Sequence, residues 1–269
     1  MAIKNIFEGV INGTRYYARV FVVNPKNRVN NRADLPYAMA IPSAFPLKPE
    51  SIDDYTLYRK YTGTQTFTAP EDGWYKIRVF GASGMGSEGD TGEYTNEDGD
   101  TVYTAVGGRG GQGGGYACSI VKFNKGDTIV ITCGEGGVKP LYGYAREGTT
   151  TTVIIKSSFG EYSRTINITS GANGDKNWRD YGIASGGNIE NIKGNPGYNG
   201  EEWETEDETS VYASGGDGGL PPVWTSGVGY EGCRGGKGGD VTDGTPDRYP
   251  GDGENAYVQI YRGNTNIVA

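Results

Sequence analysis

Short runs of β-branched and aromatic residues, each bounded by Gly, Asn or Asp, recur along the whole chain. Examples are TIVITC at 128–133 and TTVIIK at 151–156, and runs of this length and composition are typical of β-strands. No window of ten or more residues carries apolar positions at i, i+3, i+4 and i+7 without an interrupting Gly or Pro. The pattern therefore predicts an all-β chain with almost no helix.

Two such runs open the chain in KNIFEGVINGTRYYARVFVV, and Asn12 and Gly13 lie between them. Asn-Gly is the preferred dipeptide of the two-residue type I′ turn, whose twist matches that of the flanking strands. The sequence therefore predicts an N-terminal β-hairpin.

An extended arm follows the hairpin, because closely spaced prolines exclude regular structure over about 25 residues. Those prolines are Pro25, Pro36, Pro42, Pro46 and Pro49. Two interpretations stay open: a plain linker, or an attachment arm that docks onto another subunit. The apolar residues that would make this attachment are Tyr37, Met39, Ile41 and Phe45.

The pattern predicts that a β-sandwich begins near Gly63. Phe67 precedes the turn at 70–73, and an alternating strand then runs from Trp74 to Phe80. This alternation predicts that Ile77 and Val79 face the core.

A second hairpin is predicted around the turn at 124–127, with Tyr116–Phe123 pairing onto Thr128–Cys133. In that register Cys118 lies opposite Cys133. Opposed Cβ atoms are about 4.5 to 5.5 Å apart, slightly wider than in a disulfide, so either a bond or two small buried thiols would fit. A metal site is disfavoured, because the chain has no histidine and Cys233 is distant in sequence.

Glycine supplies 47 of the 269 residues, yet the chain also has 20 Tyr, 7 Phe and 4 Trp, which indicates order rather than a flexible linker. The glycines recur at intervals of three, the repeat of the polyproline II helix. This pattern predicts packed polyproline II helices, with flexible loops as the alternative. The period-three positions are Gly108, Gly111 and Gly114; Gly194, Gly197 and Gly200; and Gly232, Gly235 and Gly238.

Charge and composition exclude several classes of protein. Residues 1–62 have nine Lys/Arg against five Asp/Glu, a balance of +4, which leaves −12 for the rest of a chain whose net charge is −8. The acidic majority argues against nucleic-acid binding. The absence of histidine excludes Ser-His-Asp and Cys-His catalysis and the usual zinc ligand. Neither a signal peptide nor a membrane span is expected, and three cysteines favour folding in a reducing cytoplasm.

No cofactor or metal is expected. Asn96, Asp98 and Asp100 resemble a fragment of a calcium loop, but the distal Glu is missing, so a solvated acidic loop is the preferred interpretation.

Four blocks carry a family resemblance: APEDGWYKIRVFGASG, GGRGGQGGGYA, NKGDTIVITCGEGG and GDGENAYVQIYRG. In that order they resemble the glycine-rich domains of bacteriophage tail-fibre and other virion proteins, and the architecture is similar to the glycine-rich domain of anaplastic lymphoma kinase receptors. The resemblance covers residues 64–262. It implies a jelly-roll-like β-sandwich that supports packed polyproline II helices with exposed contact loops. The acidic insertions at 87–100 and 199–212 depart from the commonest phage pattern.

These observations predict an attachment hairpin and arm at 1–62, a glycine-rich β and polyproline II domain at 63–262, and a tail at 263–269. The expected function is that of a non-enzymatic virion structural protein, assembled in the host cytoplasm: a fibre-tip adhesin or receptor-binding protein. Its partners would be other virion subunits, through residues 1–62, and a host surface glycan or protein, without nucleic acid or membrane insertion. The alternatives are a head-fibre or capsid or tail decoration protein, and a polysaccharide-degrading virion enzyme. The ligand-contact candidates are aromatic residues of glycine-rich loops, which combine rigid area with a polar tip: Tyr142, Tyr144, Trp178, Tyr181, Tyr198, Trp203, Trp224 and Tyr230.

Overall fold

The computed structural model describes residues 2–11, 14–22, 41–42, 55–140, 145–158, 162–175, 182–206, 211–225 and 228–263; before residue 55 it describes the backbone only. The described residues form strands and extended segments without a helix. The predicted all-β fold is therefore confirmed. No described segment is a helix that is long and apolar enough to cross a membrane.

The N-terminal strands form a separate three-stranded sheet in the order β1-β2-β3. Strand β1 (Ala2–Ile11) pairs antiparallel with β2 (Thr14–Val22), and Ile11 lies opposite Thr14, which confirms the predicted hairpin. Strand β3 (Ile41–Pro42) adds to β2, so the backbone of Ile41 belongs to this sheet, and the prediction that prolines exclude regular structure from this stretch is wrong at 41–42. The other attachment candidates, Tyr37, Met39 and Phe45, lie outside the described residues.

Two five-stranded antiparallel sheets form the sandwich, in the orders β13-β12-β11-β10-β5 and β14-β9-β6-β20-β4. The first sheet comprises β5 (Thr64–Thr68), β10 (Thr128–Thr132), β11 (Thr151–Ser157), β12 (Tyr162–Ile168) and β13 (Ala184–Ser185). The second comprises β4 (Tyr55–Tyr61), β6 (Gly73–Phe80), β9 (Tyr116–Phe123), β14 (Glu190–Ile192) and β20 (Tyr257–Gly263).

The main core lies between these two sheets. Ile129, Ile131 and Ile155 from one sheet meet Ile77 and Val79 from the other, and all five side chains are fully buried. The predicted inward orientation of Ile77 and Val79 is confirmed. Burying such side chains stabilises the fold by about 1.5 to 3 kcal/mol each.

Strand β4 lies before the predicted domain boundary at residue 63, yet it forms the edge of the second sheet beside β20. Its residue Tyr61 is 4% exposed and belongs to the main core. The sandwich therefore includes residues on both sides of that boundary.

The predicted hairpin between residues 116 and 133 is wrong. Strand β9 pairs with β6 and β14, whereas β10 pairs with β5 and β11 in the opposite sheet, so Cys118 and Cys133 are not cross-strand neighbours. The turn explains the difference. The amide of Asp127 donates to the carbonyl of Asn124 (3.0 Å), and within this turn only Gly126 has a positive φ (+94°), which is the type II pattern. Type II turns splay the flanking strands instead of pairing them.

The glycine-rich segments run beside one another as extended chains outside the sheets, and neighbouring segments are joined by backbone hydrogen bonds. The central one is residues 107–115. Every third amide of the central segment donates to the same neighbour. Gly107, Gly110 and Gly113 donate to residues 201, 198 and 195, whereas Gly108, Gly111 and Gly114 donate to residues 239, 236 and 233. Gln112 donates to Ala172 on a third side, at 3.0 Å.

A hydrogen-bond period of three residues is the repeat of a polyproline II helix, in which each third residue points the same way. The central segment is therefore the middle helix of a bundle. Where an amide of the bundle has no suitably placed carbonyl, a side chain replaces it. The amide of Arg109 donates to Ser87 Oγ (2.8 Å), and that of Met85 donates to Asn173 Oδ1 (3.1 Å).

Most of the period-three glycines face a neighbouring backbone. A Cβ atom built on eight of them would lie 1.9–2.2 Å from a backbone carbonyl oxygen. These are Gly108, Gly111, Gly114, Gly194, Gly197, Gly200, Gly235 and Gly238. Gly232 differs, because its φ is +133° and its nearest neighbours are side-chain atoms of Pro221 and Pro222 at 3.0 Å. At that position the backbone conformation, rather than helix packing, requires glycine.

Smaller sheets lie at the two ends of the bundle. The central helix leads into β9 of the sandwich at residue 116. It begins after β8 (Thr101–Val106) of a three-stranded sheet with β7 (Asp90–Thr95) and β15 (Glu202–Thr205). At about 3.1 Å per residue, the helix separates this distal sheet from the sandwich by about 30 Å. The hairpins β16 (Val223–Thr225)–β17 (Gly229–Glu231) and β18 (Val241–Thr242)–β19 (Thr245–Pro246) complete the fold.

Substitution of a bundle glycine by alanine is expected to destabilise the protein strongly. Gly111→Ala, Gly197→Ala and Gly235→Ala would each push a methyl group into a backbone carbonyl, at a cost of about 3 kcal/mol or more. Gly73→Ala is the matched control, because its added Cβ would meet only a side-chain carbon at 3.7 Å. Thermal and urea unfolding measure the difference. Variants of the first group that unfold like Gly73→Ala would contradict the packed bundle.

Candidate functional site

The two acidic insertions of the sequence form one surface at the distal end of the bundle. Strand β15 from the second insertion pairs with β8, which follows the first insertion and pairs with β7. The described parts of these segments, residues 87–106, 199–206 and 211–212, contain ten Asp and Glu residues and no Lys or Arg. This sheet therefore concentrates negative charge where the bundle ends.

The distal sheet has an inner and an outer face. On the inner face, buried Ala105 packs with Val211, Ala213 and Val241 in a small apolar cluster. On the outer face, the register places Glu202 and Asp90 on either side of Val106, which is 42% exposed. The hydroxyl of Tyr94 donates to Glu204 Oε2 on this face (3.4 Å). The outer face thus presents carboxylates and the ring of Tyr94 to solvent.

One ligand-contact candidate, Trp203, lies at this distal end, in β15, with its side chain 55% exposed. Tyr198 is 60% exposed but lies beside the bundle, because its carbonyl accepts from Gly110 in the middle of the central helix. Exposed rings of this size on ordered backbone suit a contact surface, because they bury large area with few rotatable bonds.

Two further candidates lie at the opposite end. Trp224 pairs with Tyr230 across the β16–β17 hairpin, and Tyr230 is 55% exposed. This hairpin precedes Cys233, whose carbonyl accepts from Gly114 beside the sandwich. The structure therefore places Trp203 at one end of the bundle, Trp224 and Tyr230 at the other, and Tyr198 between them. Tyr142, Tyr144, Trp178 and Tyr181 lie outside the described residues, as does the side chain of Trp224.

A buried ion pair, which the sequence reasoning missed, anchors the β16–β17 hairpin. Arg78 Nη2 donates to Glu231 Oε2 at 2.9 Å, and Thr225 donates to the same oxygen at 2.6 Å. Arg78 also donates to the hydroxyls of Tyr116 (3.2 Å) and Tyr261 (3.3 Å). It is only 8% exposed, although strand alternation places it opposite the core face. The β16–β17 hairpin is thus fixed onto the outer face of the sandwich.

The electrostatics of this pair favour the charged forms. Burial alone raises the pKa of Glu231, but the hydrogen bonds from Arg78 and Thr225 outweigh it and hold this pKa below its usual value. Burial likewise opposes the charge on Arg78, and its bonds to Glu231 and Tyr116 reverse that effect and raise its pKa. The pair therefore stays ionised at neutral pH.

The residues that resemble a calcium loop, Asn96, Asp98 and Asp100, form a turn. Asn96 Oδ1 accepts from the amides of Asp98 (3.1 Å) and Asp100 (2.8 Å) at the tip of the β7–β8 hairpin. Within the described ranges, no group of three or more His, Cys, Asp or Glu side chains is placed to hold a metal ion.

The three cysteines are free thiols. Cys118 and Cys233 pack with Phe80 and Tyr116 in one apolar cluster, and Cys133 lies against the main core. Burial raises the pKa of Cys233 to about 12, so its thiolate is scarce at neutral pH. This thiol is therefore a packing group rather than a nucleophile.

Neither a protein-family model nor a curated protein sequence matches the chain.

Loss of the buried charge pair should destabilise the protein in a pH-dependent way. At pH 7, Glu231→Gln is expected to cost about 2 to 3 kcal/mol, because Arg78 stays buried without its counter-charge. Since the pKa of Glu231 is lower in the folded state, its contribution is complete above the unfolded value of about 4.3 and disappears as the pH falls through the folded value.

Urea unfolding from pH 7 to pH 3 measures this effect. The control is Glu88→Gln, because the Lys139–Glu88 pair is more exposed and should contribute less than about 1 kcal/mol. A Glu231→Gln cost that is equal at pH 7 and pH 3 would argue against the ion pair.

Proposed function

We propose that this chain is a non-enzymatic structural protein of a bacteriophage virion, and that it acts as an exposed fibre-tip adhesin or receptor-binding protein. The N-terminal hairpin and arm of the chain would attach it to the virion, and the distal end of the bundle would contact the host surface. The observation that carries this proposal is the 55% exposure of Trp203 in strand β15, on the side of the bundle away from the sandwich.

The bundle supports this role because it can hold a contact surface rigidly away from the body of the protein. Its helices are tied to several neighbours by backbone hydrogen bonds, so few internal rotations are left to lose on binding. Tyr and Trp are the residue types that dominate binding energy at protein surfaces.

The division of charge supports two different partners. Residues 1–54 have seven Lys/Arg against five Asp/Glu, a balance of +2, whereas the charged residues of the distal sheet are all acidic. Opposite charge at two sites steers each toward a partner of complementary sign. The attachment part would be the N-terminal sheet and the stretch before residue 55, since β4 belongs to the sandwich.

Truncation of the distal tryptophan should weaken adsorption without loss of stability. Trp203→Ala is expected to weaken attachment of virions to host cells by about thirtyfold, since central aromatic contacts typically contribute 2 kcal/mol or more. Its melting temperature should stay close to wild type, because the side chain is more than half exposed. Adsorption counts and thermal unfolding measure the two quantities.

The matched control for this experiment is Leu57→Ala. Leu57 is 48% exposed on edge strand β4 of the sandwich, far from the distal sheet. Normal adsorption by a stably folded Trp203→Ala protein would contradict the adhesin and favour a head-fibre or decoration role. Labelling of the distal end by antibody, followed by electron microscopy of the virion, then locates the protein on the particle.

A further inference from the structure

A pocket of about 350 Å³ lies beside the distal sheet, where the β18–β19 turn approaches β7. Its walls include Thr91 and Glu93 of β7, Tyr103 and Thr104 of β8, and Asp243 of the turn. This volume lies at the lower end of the range for small-molecule sites, so it suits one ring-sized group.

The charged groups of this pocket are all acidic. Glu93 and Asp243 supply the carboxylates, and no Lys or Arg lines the pocket. The hydroxyl of Tyr212 donates to Asp243 Oδ1 at 2.5 Å, which fixes the orientation of that carboxylate. Among the described residues, neither Asp243 Oδ2 nor the carboxylate of Glu93 has a hydrogen-bonding partner. Two carboxylates on one small cavity favour a ligand that brings a positive charge and hydrogen-bond donors.

The uncharged walls fit a hydroxylated ring. Thr91, which shares a face of the sheet with Glu93 and Tyr103, carries a hydroxyl that can donate and accept, and Tyr103 is half-buried against the apolar cluster at Val211. Such a mixture of hydroxyls and an aromatic surface matches the polar edge and the C–H face of a sugar.

Backbone contacts fix the β18–β19 turn, which forms one wall of the pocket. Asp243 and Gly244 have φ values of +48° and +68°, the type I′ pattern for which Asp-Gly is a preferred dipeptide. The amide of Gly244 donates to the carbonyl of Val211 at 3.1 Å, which ties the turn to the wall of the pocket. The site is therefore formed before a ligand arrives.

We infer that this pocket binds an amino sugar with a free ammonium group, placed between Glu93 and Asp243 with its ring against Tyr103. This inference rests on the proposed function for the source of the ligand, a host surface glycan. It deepens that function by naming the class of glycan that the distal end recognises. N-acetylation would remove the charge and neutral hexoses lack it, so both should bind less well.

Titration of the purified full chain with glucosamine, N-acetylglucosamine and glucose, followed by NMR chemical shifts, tests this inference. Glucosamine is expected to bind with shifts in the amides of β7 and of the β18–β19 turn. The two uncharged sugars should bind at least about tenfold more weakly, because hydrogen bonds to charged groups are the strong ones. Equal binding of all three sugars, or no binding of glucosamine, would overturn the inference, as would its displacement by equimolar calcium chloride.

Three variants locate the binding. Glu93→Gln and Asp243→Asn should each lower glucosamine affinity by about tenfold, and asparagine keeps the positive φ that the turn needs. Glu97→Gln is the control, because this residue is exposed in the same hairpin but does not line the pocket. Unchanged affinity in both pocket variants would contradict the assignment. Because the titration needs no virion, the pocket inference can fail while Trp203→Ala still weakens adsorption, and glucosamine can bind even if the adhesin proposal fails.

Discussion

Backbone amides and carbonyls need hydrogen-bond partners wherever they are removed from water, and glycine-rich segments have almost no side chains to supply them. In this protein the segments supply partners to one another. Each extended segment gives its amides to different neighbours in turn, so the central helix at 107–115 is surrounded on several sides. Only glycine permits two backbones to approach so closely, since a methyl group added at Gly235 would lie 1.9 Å from the carbonyl oxygen of Gly111. The composition of the chain follows from this constraint.

The bundle also decides where the other parts of the molecule lie. Its segments begin or end at the sandwich on one side and at the acidic sheet on the other, so insertions between segments emerge at one of two ends. The insertions at 87–100 and 199–212 are about a hundred residues apart in sequence, yet β15 pairs with β8. The loop at 221–231 emerges at the other end, where Arg78 and Glu231 hold it against the sandwich. The insertions at each end can therefore vary in sequence without disturbing the backbone contacts between the segments of the bundle.

Much of the fold could be predicted from local patterns. Alternation at Ile77 and Val79, the Asn-Gly dipeptide at 12–13 and the glycine period of three each reflect a constraint within a few residues. Long-range pairing could not be predicted in this way. The turn at 124–127 has a sequence that suits a hairpin, but only the backbone conformation at Gly126 shows that its strands separate into opposite sheets. Arg78 was missed for a related reason, since alternation places a side chain on a face and does not indicate that a hairpin 150 residues later covers it. The distal pocket likewise depends on Asp243, which meets Glu93 only through the tertiary structure.

Amide hydrogen exchange of the central segment tests the packed bundle most directly. If Gly107, Gly110 and Gly113 donate to one neighbour and Gly108, Gly111 and Gly114 to another, all six amides should exchange as slowly as those of β9 in the sandwich core. Their exchange would then require global unfolding. Exchange of these glycines within about tenfold of the rate for an unfolded chain, while β9 stays protected, would show that the glycine runs are loops and would contradict the account.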